Sequence, residues 1–139
     1  MSLTFEESYD SIYGLFKAAW DPTSYPAYYE AVDKGRMPDD QPWVWVSIEH
    51  AGGRQASLSS GTGQARFERN GIFTARIFVA AGKGLQDALP LAKVVADAFE
   101  GNSAPGGVWF RNVRMNEVGR DGKFFQVNVL AEFTYDEIK

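Results

Sequence analysis

Apolar positions near the start recur every three or four residues: Phe5, Tyr9, Ile12, Tyr13, Phe16, Ala19 and Trp20 share one stripe of a helix. Thr4 followed by Glu7 matches a capping box, so this helix is expected to begin near Phe5. Asp21-Pro22 should end it. Residues 21–42 hold four of the six prolines and read as an irregular connection with a short extended piece at Ala27–Val32. Trp43-Val44-Trp45-Val46-Ser47-Ile48 is apolar at both alternating sets of positions over most of its length. That pattern predicts a central strand covered on both sides.

Glycine and serine then dominate Gly52–Gly63, which reads as a long flexible hairpin loop with strand character near Gln55–Leu58. Strands are expected at Ala65–Asn70 and Ile72–Ala80, with Gly71 marking a bulge between them. Phe73, Ala75, Ile77 and Val79 share one face of the second piece. After the turn Gly82-Lys83-Gly84 a second helix is expected over Leu85–Phe99, its apolar face being Leu85, Ala88, Leu89, Ala92, Val95, Ala96 and Phe99. Pro90 is awkward inside it and allows a later start near Leu89; Gly101 is a candidate cap. A closing hairpin follows: Val108–Val118, a turn at Gly119-Arg120-Asp121-Gly122, then Lys123–Tyr135. Phe125, Val127, Val129, Ala131, Phe133 and Tyr135 all face one way. The order helix, strands, helix, strands places the chain in the α/β (α+β) class: a single mostly antiparallel mixed sheet with two helices packed against it. No internal repeat or linker divides it, so one domain over residues 1–139 is expected.

Composition changes this picture little. Apolar residues make up 45 % of the 139, and a chain of this size buries roughly two thirds of its unfolded surface. The net charge of −4 argues against non-specific nucleic-acid binding, and no direct nucleic-acid readout is expected. With no cysteine, disulfides, thiolate metal sites and cysteine nucleophiles are excluded. No signal peptide or membrane span is read, so a soluble chain made inside the cell is expected.

The search for chemistry finds little. His50 beside Glu49 offers a base and a carboxylate, but a lone histidine without further partners favours a structural role. Ser60-Gly61-Thr62-Gly63-Gln64 lacks the lysine and the following helix of a phosphate loop, and Gly82-Lys83-Gly84 lacks its spacing and hydroxyl. No carboxylate group matches a calcium loop or a metal motif. Arg66, Arg69, Arg76, Arg111 and Arg114 interleave with Phe67, Phe78, Trp109 and Phe110 on the later strands. The pattern fits a nucleic-acid face, which the acidic total disfavours, a protein interface, or ordinary strand alternation; neither spacing nor charge decides between the last two.

Several stretches carry a resemblance. They are Pro42 to Ile48, Gly71 through Gly84, Ala92 to Phe99, Phe125-Gln126-Val127-Asn128-Val129, and the closing Phe133-Thr134-Tyr135-Asp136-Glu137. In that order they resemble the tail-terminator proteins of long-tailed phages, the lambda-type terminators among them, over nearly the whole chain. The resemblance implies an α/β sandwich that assembles as a hexameric ring, caps the growing tail tube, stops its polymerisation and presents a surface to the head connector. It implies no catalysis and no cofactor. The partners it implies are further copies of the chain, the major tail-tube protein and the head–tail connector protein. The implied location is the virion tail after assembly and the host cytoplasm before it, with no membrane involved. Arg54, Ser59 and Thr62 in the glycine-rich loop, with Arg66, Arg69, Arg76, Arg111 and Arg114 on the strands, are then the candidate contacts to neighbouring subunits or the tube. Two alternatives stand beside this: a small-ligand or protein-binding module using Trp43, Trp45 and Trp109, and a related head–tail joining or tail-completion protein.

Overall fold

The computed structural model describes residues 3–29, 41–56, 65–80, 82 and 85–138. Helix α1 spans Phe5–Trp20. Its start is the expected capping box: the Glu7 amide donates to the Thr4 hydroxyl at 3.3 Å and the Thr4 amide to the Glu7 carboxylate at 3.0 Å. After Asp21-Pro22 the chain makes one 3-10 turn, Asp21–Thr23, and leaves it through Ser24 in the left-handed region. The short extended piece becomes β1 (Ala27–Tyr29), followed by β2 (Trp43–Gln55), β3 (Arg66–Ala80), α2 (Leu85–Phe99), β4 (Ser103–Ala104), β5 (Val108–Asp121) and β6 (Phe124–Ile138).

The sheet order is β1-β2-β3-β6-β5-β4. Only β1 and β2 run parallel; the other pairs are antiparallel. Both helices pack on one face, where cross-strand rows such as Ile48, Phe73 and Ala131, or Val46, Ala75 and Val129, form the buried core. Phe73 is the junction of the layers. Its ring centroid lies 5.6 Å from Phe16 on α1 and 4.6 Å from Phe99 on α2. The alternation read in β3 and β6 holds along both strands, and this is the α+β sheet-and-two-helices arrangement that the element order predicts.

Five expectations need correction. Strand β2 lies between β1 and β3, but its second face has no helix over it among the described residues. Trp43 on that face is covered by stacking on Phe78 at 4.1 Å and by an edge contact with Phe124 at 5.6 Å. Gly52–Gln55 is not loop but the far end of β2, paired to Asn70–Phe67. Gly71 sits inside a continuous β3, and the bulge falls opposite it at Ala51, between the pairs His50↔Gly71 and Gly52↔Asn70. Helix α2 does begin at Leu85, as its stripe predicts: the Pro90 ring lies on the exposed side, so the carbonyl it leaves without a partner can be hydrated. Leu89 is 39 % exposed; Leu91 completes the stripe Ala88, Ala92, Val95 and Phe99 in its place. In the closing hairpin the turn tightens to Gly122-Lys123, and Gly119 belongs to a second irregularity of β5.

Candidate functional site

The helix-free face of the sheet gathers most of the candidate residues. Pairing fixes the sides: positions 68, 72, 74 and 76 on β3 lie opposite 136, 132, 130 and 128 on β6, all pointing away from the helices. Arg66 and Arg76 belong to this set. Arg54 joins it because the Ala51 bulge shifts the phase of β2 and brings Arg54 opposite Glu68. Arg111 and Arg114 are three residues apart, yet a bulge between them, with Asn112 at a φ of 50°, brings both onto this face, opposite Glu132 and Leu130. Arg69 is not brought together with them. It points to the helix-bearing side, where it bonds Glu137 at 3.0 Å and lies 5.3 Å from the Phe5 and Phe67 rings. Ser59 and Thr62 lie outside the described residues.

Most of these arginines are held by carboxylates of the same face. Arg54 pairs with Glu68 at 3.3 Å and Arg66 with Asp136 at 3.6 Å. Glu132 serves both Arg111 at 3.6 Å and Arg114 at 3.0 Å. The Asn112 amide, helped by the two guanidinium groups, holds the Glu132 carboxyl below the usual carboxylate range. Arg76 differs: its guanidinium donates to the Ser47 hydroxyl at 2.9 Å and lies 5.6 Å from the Trp45 ring. Exposed pairs of this kind contribute little to stability. What they do is hold long side chains in fixed positions on an open surface, which lowers the entropy cost of a contact made there.

Trp109 on β5 is 72 % exposed. Beside it a shallow cleft of about 280 Å³ is lined by Arg66, Glu68, Arg111, Thr134 and Asp136, among others. Tryptophan next to arginine is the composition that dominates the centres of protein interfaces. The binding-module alternative joins Trp109 with Trp43 and Trp45 in one surface. The structure separates them: Trp109 pairs with Thr134 at one end of β6, whereas Trp43 pairs with Phe78, itself opposite Gln126 near the other end.

His50 does not pair with Glu49. Neighbours on a strand point to opposite faces, and Glu49 is exposed while His50 turns to the helix side. There its Nε2 lies 2.7 Å from the Tyr135 hydroxyl, and the rings of Phe5 and Phe133 flank it at 4.8 and 5.4 Å. Burial, reinforced by the nearby Arg69 charge, lowers the His50 pKa from its ordinary value of 6.5. The aromatic box thus favours the neutral imidazole over the charged one. The folded chain then binds a proton at His50 less readily than the unfolded chain does. Stability is accordingly full above 6.5 and falls as pH drops through that value, until the folded histidine itself titrates. Thermal melting across this range should show the loss in the native chain and a flatter profile in His50→Gln. Identical profiles would mean that His50 is solvated in the folded state.

Among the described residues no group of three or more His, Asp or Glu side chains is placed to hold a metal ion, and no helix is long and apolar enough to cross a membrane. A family model described as phage tail terminator protein matches residues 12–130, from within α1 to within β6. No curated protein matches the chain. Two of the solved structures that share the fold illustrate it. One, known only by a sequence identifier, is 18 % identical with a TM-score of 0.65, covering 91 % of this chain and 94 % of its own. The other belongs to the virion of a native gene transfer agent particle and is 19 % identical with a TM-score of 0.54, covering 91 % of this chain and 92 % of its own.

Proposed function

We propose, for a chain that belongs to the phage tail terminator protein family, that its copies close into a ring which caps the tail tube, ends tail polymerisation and provides the surface to which the head is joined. It is a phage structural protein, and the observation that carries the finer reading is the family match across both helices and most of the sheet. A closed ring needs two different surfaces on each copy, related by a rotation that returns to the start. Two chemically distinct layers, helices on one side and an arginine-bearing sheet on the other, suit that requirement.

The proposed assembly is a hexamer. Its partners are the major tail-tube protein on one side and the head–tail connector protein on the other, and residues 1–139 act as one domain. The chain is made in the host cytoplasm and ends in the virion tail. It needs no cofactor and performs no catalysis: its one histidine turns to the helix side against the Tyr135 hydroxyl, on the face of β2 opposite Glu49. The candidate contacts are Arg54, Ser59, Thr62, Arg66, Arg76, Arg111 and Arg114, with Arg69 acting from the helix side. Tail assembly in the presence and absence of the protein is the test, read as tube length by electron microscopy. Tubes of one length are expected with it and overlong tubes without it; equal length distributions would contradict the reading.

A further inference from the structure

We propose that neighbouring copies in this ring meet head to tail, with Trp109 of one copy seated in the cleft beside α1 of the next. This rests on the ring reading above and names the surfaces that would close the ring.

Trp109 is the most exposed of the large apolar side chains among the described residues. An indole left in water beside ordered arginines marks a surface that gains by being covered. The α1 cleft offers a matching hollow of about 450 Å³, lined by Asp10, Tyr13, Gly14, Tyr25 and Tyr29 among others. Gly14 lies in the lining of that hollow, and a Cβ placed there would meet no atom within 4 Å. Aromatic rings on the wall, with Asp10 and Asp21 lining the hollow against the single Lys17, suit an indole arriving with a guanidinium beside it.

Charge selects the occupant as a second copy of this chain. On the helix layer Lys17 and Lys93 are already bound to Asp21 and Asp97. Glu6, Asp10, Asp87 and Glu100 make no ion pair among the described residues, so this layer is left acidic. On the face around Trp109 the guanidinium groups of Arg54, Arg66, Arg111 and Arg114 face the carboxylates of Glu68, Asp136 and Glu132, which leaves one positive charge over. Helix layer on helix layer would set one acidic surface against another, and sheet on sheet would set two surfaces with a slight positive excess against each other. The head-to-tail contact sets the acidic helix layer against the face with the positive excess.

Two variants test this in the full-length chain, and both should fold. Trp109→Ala removes an exposed side chain, and Gly14→Leu fills open space on an exposed helix position. Matching circular dichroism melts would confirm folding. Native mass spectrometry should then show wild-type rings, while each variant alone falls to monomer with its junction weakened at least about 30-fold. Mixed in equal amounts well above that weakened dissociation range, the two variants should form a discrete heterodimer. The Gly14→Leu copy still presents Trp109, and the Trp109→Ala copy still presents the hollow. Rings formed by both variants as by wild type would overturn this junction and leave the ring reading standing. Monomeric variants that fail to form the heterodimer would show that the two surfaces do not meet and would also overturn it. Wild-type chains that remain monomeric both alone and with tail-tube subunits would overturn the ring reading itself.

Discussion

Phe73→Ala is expected to cost about 3–5 kcal/mol of folding stability, the range for removing a fully buried aromatic side chain and leaving a cavity. Phe73 is fully buried, and its ring meets Tyr13 and Phe16 of α1 and Phe99 of α2. It is thus the point at which β3 grips both helices, and neither helix can settle into the hole without leaving the other. For a domain of this size a loss of that order is a large part of the whole stability. Urea denaturation should show a midpoint far below wild type with a similar slope. A loss under about 1 kcal/mol would mean that the helices do not pack on the sheet through this ring.

The second large effect is expected at Gly71. A Cβ there would collide with the Glu49 carbonyl oxygen, with Phe133 Cζ at 2.7 Å and with His50 Cα at 2.9 Å. Two of these are backbone atoms of β2, which cannot swing aside as a side-chain tip can. Gly71→Ala should therefore destabilise by about 1–3 kcal/mol, the range for overpacking a closed site. Gly14→Ala, with open space around it, should gain slightly from better helix propensity. The same denaturation series checks both, and a neutral Gly71→Ala would show that β2 and β3 are less closely apposed than described.

Gly71 also shows where sequence reasoning reached its limit. A lone glycine in a strand pattern signals either a bulge or a close backbone approach. The bulge was read at Gly71, but the extra residue is Ala51 on the partner strand, and the glycine serves the close approach. Periodicity disclosed what is periodic: the buried rows of β3 and β6, the α1 capping box and the core stripe of α2. Strands of three and two residues, β1 and β4, are too short to carry a period, and only β1 left a trace, as a short extended piece.

The arginine face was legible as a list of residues but not as a surface. Arg66 and Arg69 are three apart, as are Arg111 and Arg114. In an unbroken strand that spacing puts the first pair on opposite faces, and so they lie. The bulge after Arg111 reverses the outcome for the second pair, and the bulge at Ala51 does the same for Arg54. Bulges shift the phase of every residue beyond them, and the local signals, Gly52-Gly53 beside the first and Asn112 within the second, do not fix where the extra residue falls. His50 was similarly half legible. The sequence favours a structural role for it, whereas its contact with Tyr135, far along the chain, exists only through the pairing of β2, β3 and β6.

The most direct test of the central claim is to add the purified protein to tail-tube subunits while they polymerise and to follow tube growth by light scattering and electron microscopy. Growth should stop once about one ring is present per tube, and each arrested tube should carry one added ring at its end. Tubes that continue to lengthen at an unchanged rate with the protein in excess, and carry no such ring, would contradict the account.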